Sequence, residues 1–124
     1  VKRALTDTRG ITAVEFGMTA PLFIVLLFMM VQGSMALWTQ LGISHGAAMA
    51  ARCLTILPTT CSNADAAKAY AVSESFGVTV PNSTFTVTTP ACGNQVNASY
   101  AYSVVTFVFG RPSVTLTAQS CFPK

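Results

Sequence analysis

Charge is what this sequence has least of. Asp, Glu, Lys and Arg make up only 9% of its 124 residues, against about a quarter in a soluble domain. Part of the chain is therefore expected to live outside water. Disorder is excluded for the same reason, because it requires high charge and little apolar surface. The net charge of +3 is small and scattered, so nucleic acid is not expected as a partner. Histidine is nearly absent. The only one, His45, lies between Ser44 and Gly46. Nucleophilic catalysis needs a base beside the nucleophile, and His45 reads as a packing or surface residue. Beyond the N-terminal region the acids are only Asp65 and Glu74, and no glycine-rich phosphate loop is present. These scarcities predict no enzymatic activity, no cofactor and no metal site. The length fits one small domain.

What the sequence has in excess is apolar residues, and they are localised. Residues 16–38 contain no charged side chain. A helix of roughly 20 apolar residues crosses ~30 Å of hydrocarbon, so this run is long enough to span a bilayer. A buried core helix would need fewer residues. Lys2, Arg3 and Arg9 precede the run, against the acids Asp7 and, at its edge, Glu15, and the next cation is Arg52. That asymmetry predicts a cytoplasmic N-terminus and an outside C-terminal portion. Ser34-Met35-Ala36 resembles a small-residue cleavage site, but the apolar stretch is longer than a usual signal core.

One acid interrupts the pattern. Glu15 stands at the edge of the run, where a carboxylate is costly to bury in lipid. It is either solvated by headgroups or held by a partner charge. Its surroundings read Arg9-Gly10-Ile11-Thr12-Ala13-Val14-Glu15-Phe16, with Gly17 next and Ala20-Pro21-Leu22 following. A basic leader, Gly, four residues, Glu, an aromatic and a long apolar helix together resemble the prepilin-peptidase motif of type IVb pilins. The form is most similar to the TadE-like pseudopilins of tight-adherence systems. The resemblance covers residues 2–38. It extends weakly to Ser113-Val114-Thr115-Leu116-Thr117-Ala118-Gln119-Ser120, which is similar to the family's last strand.

The resemblance implies a peptidase cut between Gly10 and Ile11. Glu15 would then neutralise the Ile11 amine of a neighbouring subunit, with Phe16, Gly17 and Pro21 in the assembly segment. Opposite charges attract strongly in low dielectric, and either alone is costly there. If the leader is retained, Glu15 needs another cation, with Arg9, Arg3 or Lys2 of a neighbour as candidates. The implied function is a structural subunit that waits in the bacterial inner membrane. An assembly platform and its ATPase would extract it into an extracellular homo-oligomeric filament. Prepilin peptidase is the implied processing partner. The rival is a single-pass anchored accessory or ligand-binding protein that never polymerises. Whether the subunit is major or minor stays open.

The remaining sequence predicts an α+β, pilin-like arrangement. It divides into a leader-like segment (1–10), a long helix (11–55) and a small head (56–124). The long helix would measure about 60 Å at 1.5 Å per residue, twice a bilayer, so its second half must pack on something outside. Gly42, Gly46 and Ala50 recur at four-residue spacing, which permits close backbone approach, either to a neighbouring copy or to the protein's own sheet. Pro21, with Gly17 in the preceding turn, predicts a kinked or melted stretch over residues 17–21. Ser62-Asn63-Ala64-Asp65 is a helix start signal. It opens a short helix over residues 64–76, anchored by Tyr70 and Phe76 and stopped by Gly77. From Val78 the period becomes two. Phe85 and Val87, then Val96 to Val104, then Val114 to Ala118 alternate with polar residues, giving three half-buried strands. Short links favour an antiparallel meander, with the outer half of the long helix as its cover.

The four cysteines, Cys53, Cys61, Cys92 and Cys121, all follow the apolar run. An even count on the oxidising side suggests two disulfides, and no pair has the two-residue spacing common in zinc sites. Four cysteines allow three pairings. Geometry favours Cys53–Cys61, which would clamp the turn between the helices. It also favours Cys92–Cys121, because a meander places both at one end of the sheet. Asn82-Ser83-Thr84 and Asn97-Ala98-Ser99 fit the glycosylation sequon, and neither is expected to be used in a bacterial protein.

Overall fold

The computed structural model describes residues 8–105 and 110–124. The chain is α+β: helix α1 (Thr8–Ile56), helix α2 (Ala64–Ser73), a 3-10 turn (Asn82–Thr84), and strands β1 (Phe85–Thr88), β2 (Asn94–Ser103) and β3 (Ser113–Phe122). Two compact units divide it. One comprises the residues up to Ser34 and the other runs from Met35 to Lys124. The basic residues Lys2 and Arg3 lie outside the described residues.

The first unit is helical throughout its described length, and none of its residues from Gly10 to Ser34 is buried. The expected melting over residues 17–21 does not occur, since Pro21 lies inside continuous helix. A proline deletes one amide donor, and the regular turns on either side outweigh that single loss. The Thr19 hydroxyl donates back to the Glu15 and Phe16 carbonyls at 3.0 and 3.3 Å.

In the second unit the last turns of α1 form one wall of the core. Ile43, Ala47, Ala50 and Ala51 are fully buried with Ala71 of α2, Phe85 of β1 and Val96 of β2. The sheet is an antiparallel meander in the order β1-β2-β3. Phe85 pairs with Ala98, and Ala98 with Ala118. The alternation that marks the strands in the sequence thus places Val96, Ala98, Tyr100, Leu116 and Ala118 on the covered face. Val114 is the exception. It pairs with Tyr102 near the open end of the sheet and is exposed. Two polar contacts fix the helix on the sheet. Gln40 donates to the Thr117 carbonyl at 2.8 Å, and Asn94 donates to the Thr55 hydroxyl at 2.9 Å.

Helix α2 begins at Ala64, where the start signal places it. Asn63 is the N-cap, and its side chain accepts from the Ala66 amide at 2.8 Å. It ends three residues before the expected Phe76. Glu74 caps it, and Phe76 and Gly77 both take positive φ, 52° and 74°. Phe76 is therefore not an anchor of α2 but is 54% exposed beyond its end. A sharp left-handed reversal of two residues replaces the single-glycine stop.

Candidate functional site

The N-terminal unit carries the motif residues along one helix. Glu15 and Gly17 are exposed, as are Phe16 and Ile11. A methyl group added to Gly10, Gly17 or Gly33 would meet nothing within 4 Å beyond the helix's own backbone. Apolar side chains point in every direction: Met18, Leu22, Phe23 and Ile24 are all more than half exposed. A helix that is apolar all round needs lipid or other helices about it. The segment from Gly10 to Ile56 is long and apolar enough to cross a membrane.

Within the chain the small-residue stripe is divided: Ala50 joins the core with the sheet, as one expectation had it, while Gly42 and Gly46 meet a partner that was not expected. A Cβ on Gly42 would lie 2.7 Å from the Ser75 carbonyl oxygen and 2.8 Å from Val78 Cγ2. On Gly46 it would collide with the Ala71 carbonyl oxygen and lie 2.5 Å from Ser75 Oγ. These glycines seat α2 and the chain just after it. The sheet packs instead around Ile43, Ala47 and Ala50. A four-residue spacing marks close approach but does not name the partner.

Both cysteine pairs favoured by geometry are bonded in the structure. Cys53–Cys61 joins the end of α1 to the chain before α2 with a Cα separation of 5.8 Å, and Cys92–Cys121 joins the two ends of the β2–β3 hairpin at 6.4 Å. These bonds take up all four thiols. Arg52 lies over the Phe122 ring, 5.7 Å from its centroid. Lys68 and Asp65 form an exposed ion pair at 3.1 Å.

One cluster was not foreseen from the sequence. His45 Nδ1 lies 2.9 Å from the Glu74 carbonyl oxygen, the geometry of an Nδ1–H donating to it. Its ring stacks on Phe76 at 4.2 Å, and Phe76 approaches Trp38 at 6.4 Å. His45 is thus a packing residue that holds the loop after α2. Reading Phe76 as part of α2 hid this. The only available signal was Gly77, which marks a chain reversal near that position.

Residues 10–52 match the family model described as TadE-like protein. The match begins at Gly10 and takes in Glu15, Phe16 and the whole uncharged run, and it supports the resemblance read from those residues. No curated protein and no solved structure matches the chain significantly.

Proposed function

We propose, from the match of residues 10–52 to TadE-like proteins, that this protein is a membrane-anchored pseudopilin of a tight-adherence pilus system. Its α1 would span the inner membrane with the N-terminus in the cytoplasm and the disulfide-bonded head outside. An assembly platform and its ATPase would then draw it into a filament whose core is α1 packed on copies of itself. The observation that carries this reading is the N-terminal unit. An apolar helix without one buried residue between Gly10 and Ser34 has a single acid, Glu15, five residues after Gly10. Such a surface calls for lipid first and helices later. Exchanging one for the other gains little, because lipid is already apolar, so an energy-driven extraction step fits the chemistry. Cleavage after Gly10 would create the Ile11 amine that Glu15 pairs with.

The test has two parts. N-terminal sequencing of the protein recovered from cells with and without prepilin peptidase should give Ile11 only when the peptidase is present. Electron microscopy of the surface fraction should show filaments labelled by antibody to the head. A processed protein that stays in the membrane fraction, absent from any filament, would favour the non-polymerising accessory reading.

A further inference from the structure

The head carries an exposed apolar face at one end. Trp38 is 58% exposed and directly precedes Thr39, where burial of α1 begins. Phe76, brought from far along the sequence, sits beside it with its backbone in the left-handed region. A bulky residue rarely takes that conformation. Folding does not reward it with burial, since Phe76 stays exposed. His45, stacked beneath the ring and bonded to the Glu74 carbonyl, holds it there. Met35, also exposed, lines a groove of about 320 Å³ with Trp38, Gly77 and Tyr102. This is the end of the sheet where β2 stops at Ser103 and pairs with Ser113. The opposite end, at Asn94, is the one bonded to Thr55 near the close of α1. Exposed Arg111 lies in the connection at the Ser103 end.

We propose that the Trp38–Phe76 face is a lipid-interface seat, by which the head rests in the outer leaflet of the membrane that α1 spans. The inference rests on the membrane-anchored reading above and adds where the head docks. Continuity names the occupant. No residue from Glu15 to Trp38 is buried and burial in the head begins at Thr39, so a bilayer crossed by that unburied stretch brings its water boundary to Trp38 and to whatever packs beside it. Tryptophan and tyrosine favour that boundary because one part of the ring system is apolar and another can hydrogen-bond. Phe76 and Met35 add purely apolar contact, and Arg111 supplies a cation for headgroup phosphates. Extraction into a filament would have to lift this face from lipid as well as withdraw α1.

Trp38 is the only tryptophan, so its fluorescence reports one position. The full chain is reconstituted into vesicles of phosphatidylethanolamine and phosphatidylglycerol. Lipids brominated near the headgroup or near the chain ends are compared as quenchers. Trp38 should be quenched more by the shallow bromines. In the double variant Trp38→Phe, Phe76→Trp, the new indole should show the same preference. If Trp38 is quenched but the indole at position 76 is unaffected by either lipid, the seat is overturned while the anchor stands. If neither is quenched, the membrane reading itself fails. A concentration-dependent blue shift at position 76 without quenching would assign the face to a second copy and also overturn the proposal. Should the double variant misfold, hydroxyl-radical footprinting of the unaltered protein in the same vesicles decides. Phe76 should be protected while Leu57, exposed at the other end of the head, is oxidised. Equal oxidation of both overturns the seat.

Discussion

Gly46 of α1 lies against the carbonyl oxygen of Ala71 in α2, with no space for a methyl group between them. Ser75, fully buried, closes the same contact by donating its hydroxyl to that carbonyl at 2.7 Å. The consequence is testable because two effects of Gly46→Ala oppose each other. Alanine in place of glycine favours a helix by about 1 kcal/mol, whereas overpacking a tight contact costs about 1–3 kcal/mol. The blocking group is backbone, which has least freedom to move, so the clash should win. We expect Gly46→Ala to lower the guanidinium midpoint of the head in detergent, followed by near-ultraviolet circular dichroism. Gly33→Ala, where nothing lies within 4 Å, should leave that midpoint unchanged.

The cap of α2 gives a second measurement. Asn63→Ala removes the acceptor for the Ala66 amide and should cost about 1 kcal/mol, the usual loss for such a cap. Asp65→Asn breaks the ion pair with Lys68, but the Asp65 side chain is 92% exposed. Solvent screens such a pair, so this substitution should shift the midpoint within measurement error. A larger effect for Asp65→Asn than for Asn63→Ala would reverse the ranking.

How far the sequence could be read follows from the kind of signal each element leaves. The three strands were legible because alternation puts every second residue on one face, and Phe85, Val96, Ala98 and Leu116 do face the helix. The long helix was legible because no charge interrupts residues 16–51 of it. The glycine stripe could be seen but not its partner, since close approach looks alike in sequence whether a sheet, a neighbour or α2 supplies the contact. Phe76 was misplaced because left-handed backbone at a phenylalanine runs against its local preference. The stacking of His45, its bond to the Glu74 carbonyl and the Trp38 ring beside it hold it there. At the candidate assembly segment, the Gly10 to Phe16 pattern is a sequence signature, and its meaning depends on charges that neighbouring molecules would bring.

The two disulfides should differ in what they contribute. They close loops of 8 and 29 residues. Chain-entropy arguments give stabilisations of about 2.5 and about 3.6 kcal/mol for loops of those lengths. Replacing Cys92 and Cys121 together by serine should therefore destabilise the head by about 1 kcal/mol more than replacing Cys53 and Cys61. Denaturation of the two double variants under identical detergent conditions makes the comparison. The order would be reversed if the Cys92–Cys121 bridge held residual structure in the unfolded chain, which a change in denaturant slope would reveal.

The last prediction concerns Glu15 and separates insertion from assembly. Moving a carboxylate into hydrocarbon costs up to about 2.5–3.5 kcal/mol at the bilayer centre and less near its edge. Glu15→Ala and Glu15→Gln should thus enter the membrane at least as well as the parent. Assembly asks the opposite of that residue. In a filament core built from α1, an N-terminal amine without a counter-charge would be buried alone, and an unpaired charge in low dielectric is strongly unfavourable. Both neutral variants should therefore reach the membrane fraction in normal amounts yet yield few or no filaments. Glu15→Asp, which keeps the charge on a shorter arm, should retain part of the yield. Membrane fractionation and filament counts from the same cultures give both readouts. Parental filament numbers from Glu15→Ala would show that no charge pairing at this position drives assembly, and Glu15 would then be a carboxylate solvated at the membrane edge.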